Sequence, residues 1–173
     1  GSRVESIISD PRIAAVTLTG STPAGRAVAA ASGKYLKKNV LELGGSDAYL
    51  VLSDADIEHA IKTCAASRMV NCGQSCVSAK RLIVVESLKE KFEQGIKEIF
   101  SKQVMGDPTD AKTTVGPMSR ADLRDEIHEQ VTRSVKQGAK LVLGGKVPEG
   151  NHAFYPLTIL SDVKKGIAAY EEE

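Results

Sequence analysis

Ile13-Ala14-Ala15-Val16-Thr17-Leu18-Thr19-Gly20-Ser21-Thr22-Pro23-Ala24-Gly25-Arg26-Ala27-Val28-Ala29-Ala30-Ala31-Ser32-Gly33 is the stretch whose reading sets the fold class. Ile13 to Leu18 is short and apolar, the pattern of a buried strand. Gly20 to Pro23 interrupts it, and the Ala-rich run from Ala24 to Ser32 predicts a helix. Thr22 is the expected N-cap, with Pro23 at the first helical position, where a missing N–H is harmless. Gly33 is the expected stop. Val40 to Leu43 then supplies a second short apolar run, closed by Gly44-Gly45.

The alternation continues outward. Ala48 to Leu52 reads as a strand, and Ser53 or Asp54 is expected to cap a helix that starts near Asp56. In that helix Ile57, Ala60, Ile61, Cys64 and Ala65 recur at helical spacing. Asn71-Cys72-Gly73-Gln74-Ser75 breaks it. Arg81 to Val85 reads as a strand. Leu88, Phe92, Ile96 and Ile99 mark one further amphipathic helix, and Leu123, Ile127, Val131 and Val135 another, stopped by Gly138. Leu141 to Leu143 and Phe154 to Leu160 are extended. Short apolar strands alternating with helices predict an α/β fold, a mainly parallel, Rossmann-like sheet with flanking helices.

Composition narrows the function. The 173 residues carry a net charge of +1, 4% aromatics and no Trp. That leaves neither the basic field nor the stacking platform that nucleic acid requires. No run of eighteen apolar residues is present, so no membrane span is expected. Charged residues interrupt the first dozen positions, against a signal peptide. Three cysteines at irregular spacing argue against a disulfide framework and for a reducing, cytoplasmic setting. No metal site is expected: Cys72 and Cys76 lack a second ligand pair, and His59, His128 and His152 are scattered.

Three places can carry chemistry. The strand-to-helix turn at Gly20-Ser21 offers free N–H groups to a phosphate or dinucleotide, although it lacks the G-x-G-x-x-G pattern. Glu42, flanked by Leu41 and Leu43, is a general-base candidate, and partial burial would raise its affinity for a proton. Cys76 follows a helix break containing a glycine, where backbone N–H groups can stabilise a thiolate nucleophile. Cys64 and Cys72 are read as structural thiols.

Taken together, these segments resemble the aldehyde dehydrogenase superfamily. Thr19-Gly20-Ser21 through Gly25 looks like its T-G-S-x-x-x-G segment. Leu41-Glu42-Leu43-Gly44-Gly45 matches its glutamate motif. Asn71-Cys72-Gly73-Gln74-Ser75-Cys76 matches its N-x-G-Q-x-C motif, with Glu42 and Cys76 lying 34 residues apart. Gly106-Asp107-Pro108, Gly116-Pro117-Met118, Gly138-Ala139-Lys140, Gly144-Gly145 and Tyr155-Pro156 follow in family order. Glu42 to Asp47 and Gly116 to Glu126 look most like a bacterial succinate-semialdehyde dehydrogenase branch, with two departures. Ser46 replaces a common lysine, and Val70 stands where many such enzymes carry an arginine for the substrate carboxylate.

The resemblance implies an NAD- or NADP-dependent oxidation of a small-molecule aldehyde to the acid through a thioester on Cys76, with Glu42 as base. It implies cofactor contacts at Gly20, Ser21, Leu43, Gly44 and Glu173, and makes Arg68 the cation nearest to hand for a substrate carboxylate. Residues 1–44 would be the C-terminal part of the NAD(P)-binding domain, and residues 45–173 a catalytic domain incomplete at its C-terminus. The full-length protein would be a homodimer or homotetramer, and the chain by itself inactive. A coenzyme-A-acylating dehydrogenase, a cysteine hydrolase and a non-catalytic structural fragment are the rival readings.

Overall fold

The structure, a computed structural model, describes residues 3–150 and 152–173. Gly1, Ser2 and Asn151 lie outside the described residues. The chain divides into two compact units, Gly1–Gly45 and Ser46–Glu173.

The first unit runs α1 (Val4–Ser9), β1 (Ala15–Thr19), α2 (Thr22–Lys34) and β2 (Lys38–Glu42). β1 and β2 pair in parallel from Ala15↔Lys38 to Thr19↔Glu42. The N-cap of α2 is Ser21, one residue earlier than expected. Its backbone is extended and its hydroxyl accepts from the Ala24 amide at 3.4 Å, so Thr22 and Pro23 are the first two helical residues. Gly33 does not stop the helix. The chain reverses at Leu36, which takes the left-handed φ of 53°, while the Lys37 amide bonds back to the Ser32 carbonyl. Neither strand is buried within this unit. Val40 is 60% exposed and shares its face with Lys38 and Glu42, because a two-stranded pair leaves one face uncovered. The short helix α1, which lacks enough turns to show a period, tucks Ile8 to 2% exposure.

The second unit contains β3 (Ala48–Val51), α3 (Ile57–Met69), β4 (Arg81–Val84) and α4 (Glu86–Ser101). It continues with α5 (Ala121–Lys136), β5 (Lys140–Leu143), β6 (Ile159–Ser161) and α6 (Ala168–Glu171). The α/β class holds, but the strands form three pairs rather than one sheet. β1–β2 and β3–β4 are parallel, and β5–β6 is antiparallel. The cap of α3 is Asp56, whose carboxylate accepts from the His59 amide at 3.1 Å. Ser53 and Asp54 are used instead in a preceding turn, closed by the Ala55 amide on the Leu52 carbonyl. Of the extended run expected from Phe154 to Leu160, only its end reaches a ladder, in β6.

The core of this unit is Val51, Ile61, Cys64, Ala65, Phe92, Ile96 and Phe100, where α3 and α4 pack on β3–β4. Each large apolar side chain buried there contributes about 1.5–3 kcal/mol relative to exposure. Apolar positions spaced three and four apart along α3 and α4 put these residues on one stripe per helix. The stripe packs α3 against the core up to Met69, just before the helix break begins.

Gly144, just after β5, has φ +72°, and a Cβ there would lie 2.3 Å from the Leu157 carbonyl oxygen. Gly144→Ala is therefore expected to destabilise the chain by about 2 kcal/mol or more, through strain plus a backbone clash. A urea midpoint unchanged from wild type would show that the 144–158 contact does not stabilise the fold.

Candidate active site

Cys76 sits in a turn that begins where α3 ends. After Val70 the chain takes three successive left-handed residues, Asn71 (φ 49°), Cys72 (φ 55°) and Gly73 (φ +81°). For the two non-glycine residues this costs about 1–2 kcal/mol each, so the turn persists only because other contacts hold it. Asn71 Nδ2 donates to the Gln74 carbonyl at 3.1 Å, and the Gln74 amide returns to the Asn71 carbonyl at 3.1 Å. Arg68 Nη1 donates to the Gly73 carbonyl at 2.7 Å and to Ser78 Oγ at 3.2 Å. A hydrogen bond with a charged partner contributes about 1.5–3 kcal/mol, enough to offset the strain of one such residue.

A second bend, closed by the Ser78 amide on the Ser75 carbonyl at 3.2 Å, carries Cys76 and Val77 at its crest. Its foot is buried, with Ala79 at 1% exposure, while Val77 is 70% exposed and the Cys76 thiol is free and exposed. Tyr49, from β3, donates to the Val77 carbonyl at 3.3 Å and bonds Ser67 Oγ at 3.1 Å, and Ser67 in turn accepts from the Ala79 amide.

The segment between α4 and α5 braces the turn from outside. The Gly116 amide donates to Cys72 Sγ at 3.2 Å, and the Ser119 amide donates to Gln74 Oε1 at 2.8 Å. Cys72 is thereby engaged as a structural acceptor. Cys64 is buried on α3, and burial pushes its thiol pKa up. Among the described residues no group of three His, Cys, Asp or Glu could hold a metal ion, and no helix is long and apolar enough to cross a membrane.

The remaining predicted residues fall into two sets. In the first unit, Gly20, Ser21, Glu42, Leu43 and Gly44 gather at the carboxyl end of β1–β2, where parallel strands present ligands. The Gly20 amide donates to the Glu42 carbonyl at 2.9 Å. Leu43 packs so tightly on Gly25 of α2 that a Cβ there would meet it at 2.6 Å. Glu42 itself is exposed, because it lies on the uncovered face of β2, so the partial burial that would raise its proton affinity is not present within this unit.

In the second unit, Glu173 forms an ion pair with Lys80, whose side chain is 14% exposed and whose Nζ lies 3.5 Å from the Cys76 carbonyl oxygen. Glu172 pairs with Arg133 at 2.7 Å, which holds its carboxyl below the usual range. Beside them opens a cavity of about 460 Å³, lined by Gln74, Met118, Ser119, Gln130 and Glu173 among others. Arg68, expected near a substrate carboxylate, has Nη1 committed to the turn.

Sequence reading assigned no role to Lys80 or Ser78, and marked Gly116 and Ser119 only as parts of a family-like stretch, without their contacts to the turn. Those contacts have no local signal, since the partners lie 44 and 45 residues away. For Lys80, its place four residues after the nucleophile was the available clue.

Comparison with known proteins completes the picture. Residues 2–173 match the aldehyde dehydrogenase family, and the chain belongs to it. It is 48% identical over 170 residues to the NAD(P)+ succinate semialdehyde dehydrogenase Sad of Escherichia coli (strain K12), an alignment covering 98% of this chain and 37% of that protein. It is also 48% identical to the NADP+ succinate-semialdehyde dehydrogenase of Mycobacterium avium (strain 104), over 99% of this chain and 36% of that one. The crystal structure of succinic semialdehyde dehydrogenase from Streptococcus pyogenes in complex with NADP+ superposes with a TM-score of 0.95 at 37% identity, over 99% of this chain and 38% of that chain. The chain thus spans just over a third of the length of these relatives.

The exposures order the three thiols. Limited iodoacetamide treatment at mild alkaline pH is expected to label Cys76 first and Cys64 only on unfolding, by ~10-fold or more in rate. Peptide mapping that finds Cys64 modified as fast as Cys76 would contradict this geometry.

Proposed function

We propose that this chain is part of an enzyme that oxidises an aldehyde, succinate semialdehyde in the first instance, to the carboxylic acid with NAD or NADP. The observation that carries the reading is the exposed Cys76 thiol at the crest of a hydrogen-bonded turn, in a chain 48% identical to succinate-semialdehyde dehydrogenases. The first unit is then the C-terminal part of the cofactor domain and the second belongs to the catalytic domain. Three free thiols fit the reducing, cytoplasmic setting this reading assumes. The complete enzyme is taken to be a homodimer or homotetramer. Because the chain covers 37% of its relative, catalysis is assigned to the longer protein and the 173 residues alone are expected to be inactive.

The residues fit the cofactor. Ser21 opens α2 at a helix N-terminus, whose N–H groups favour a pyrophosphate, and Gly20, Leu43 and Gly44 line the same strand ends. The Glu173 carboxylate can accept from a ribose diol, exchanging the Lys80 ammonium for hydroxyl donors.

The Cys76 thiolate attacks the aldehyde carbon, and the carbonyl oxygen becomes an oxyanion. The Cys76 backbone N–H is the donor this chain offers to it, and one such donor contributes about 3 kcal/mol in a transition state. The nicotinamide, when bound, supplies the acceptor for the hydride that leaves the carbon, and a thioester remains on Cys76. Glu42 takes a proton from the water that attacks the thioester, the carbon–sulfur bond breaks, and the acid is released with the Cys76 thiolate restored.

In the full-length enzyme Cys76→Ala is expected to abolish turnover. Glu42→Gln is expected to give one burst of reduced cofactor per active site and then a steady rate lower by ~10²-fold or more. Stopped-flow absorbance with succinate semialdehyde and each cofactor measures both. Wild-type steady-state turnover by Glu42→Gln would remove Glu42 from the base role.

A further inference from the structure

We propose that Arg68 is a positioning residue for the nucleophile, bracing the Cys76 turn from below, rather than the ligand of a substrate carboxylate. The inference rests on the reading of Cys76 as nucleophile and deepens it.

The guanidinium touches both limbs of the turn. One bond reaches the carbonyl of Gly73, three residues before the thiol, and the other reaches Ser78 Oγ, two residues after it. The Ser78 hydroxyl passes the link on. Its oxygen accepts from Arg68, and its proton is donated to the Ser75 carbonyl at 2.8 Å. Ser78 is 3% exposed, so this chain of bonds runs through the buried foot of the loop while the thiol stays outside. Gly73 shows that the space is shaped around the arginine. A Cβ at that position would meet Arg68 Nη1 at 2.9 Å and the guanidinium carbon at 3.0 Å.

The guanidinium lacks the partner that a surface arginine usually has. Among the described residues Arg68 makes no ion pair, and its pKa is lowered by burial with no opposing carboxylate. Its counterpoles are a carbonyl and a hydroxyl of the turn itself. Arg68 stands on the last turn of α3, and Cys64 and Ala65 on the preceding turn sit in the core, so the brace is anchored beside the core of the unit.

The test uses the full-length enzyme with Arg68→Ala, Arg68→Lys and Ser78→Ala, and two aldehydes of equal length, one with and one without a terminal carboxylate. The brace predicts that Arg68→Ala lowers kcat by ~10-fold or more for both aldehydes alike, leaving the ratio of their KM values unchanged. Arg68→Lys is expected to recover part of the loss, since an ammonium can donate to both acceptors, and Ser78→Ala to fall in the same direction as Arg68→Ala. A trifluoromethyl label attached to Cys76 gives a second reading by ¹⁹F NMR. Its resonance is expected to narrow in Arg68→Ala and Ser78→Ala as the turn loosens. This readout needs no turnover, so it tests the brace even where aldehyde oxidation itself fails. A KM rise confined to the carboxylated aldehyde, with an unaltered label resonance, would make Arg68 a substrate ligand and overturn the proposal. Should Arg68→Ala fail to fold, an unaltered resonance in Ser78→Ala would do the same.

Discussion

Three left-handed residues in a row are what the rest of the second unit has to accommodate. Asn71, Cys72 and Gly73 turn the chain sharply out of α3, and two of them carry side chains that disfavour the conformation. A conformation of this kind survives only where its surroundings over-determine it. Here it is held by its own residues, by an arginine of the preceding helix and by two amides of a distant segment. The thiol gains an exposed position whose backbone has few alternatives, which is what an attacking group needs if its approach to a carbonyl is to be reproducible.

The hydrophobic core serves that turn indirectly. Packing of α3 and α4 on β3–β4 fixes the end of α3, and with it the origin of the Arg68 side chain. The β3–β4 register adds a second fixed point, because Tyr49 lies opposite Leu82 and spans from β3 to Ser67 and the Val77 carbonyl. The turn is therefore tied to a helix, a strand and a loop, and no single one of them defines its shape.

How much of this was legible depends on distance along the chain. The helices with strong apolar periods, α3, α4 and α5, fall where their patterns predict, and the glycine-bearing break at Asn71–Ser75 is where the helix ends. Caps were displaced by one to three residues, to Ser21 and Asp56, because several adjacent Ser, Thr and Asp compete and only backbone dihedrals decide among them. Whether Glu42 is buried stayed open in the sequence, because alternation along β2 shows which residues share a face, not whether that face is covered. The Gly116–Cys72 and Ser119–Gln74 bonds left no trace at all, since nothing in residue types announces a partner more than forty positions away.

The two kinds of polar contact around the thiol also divide by solvent response. Lys80–Glu173 and Arg133–Glu172 are ion pairs with glutamate side chains 44% exposed, so salt screens them and their net contribution is small. The Arg68 bonds go to uncharged acceptors at the buried foot of the turn, where screening has little purchase. The carboxylate proposed to meet a ribose is thus held loosely enough to change partners. The turn that presents the thiol is held by bonds that neither ionic strength nor an arriving anion readily displaces.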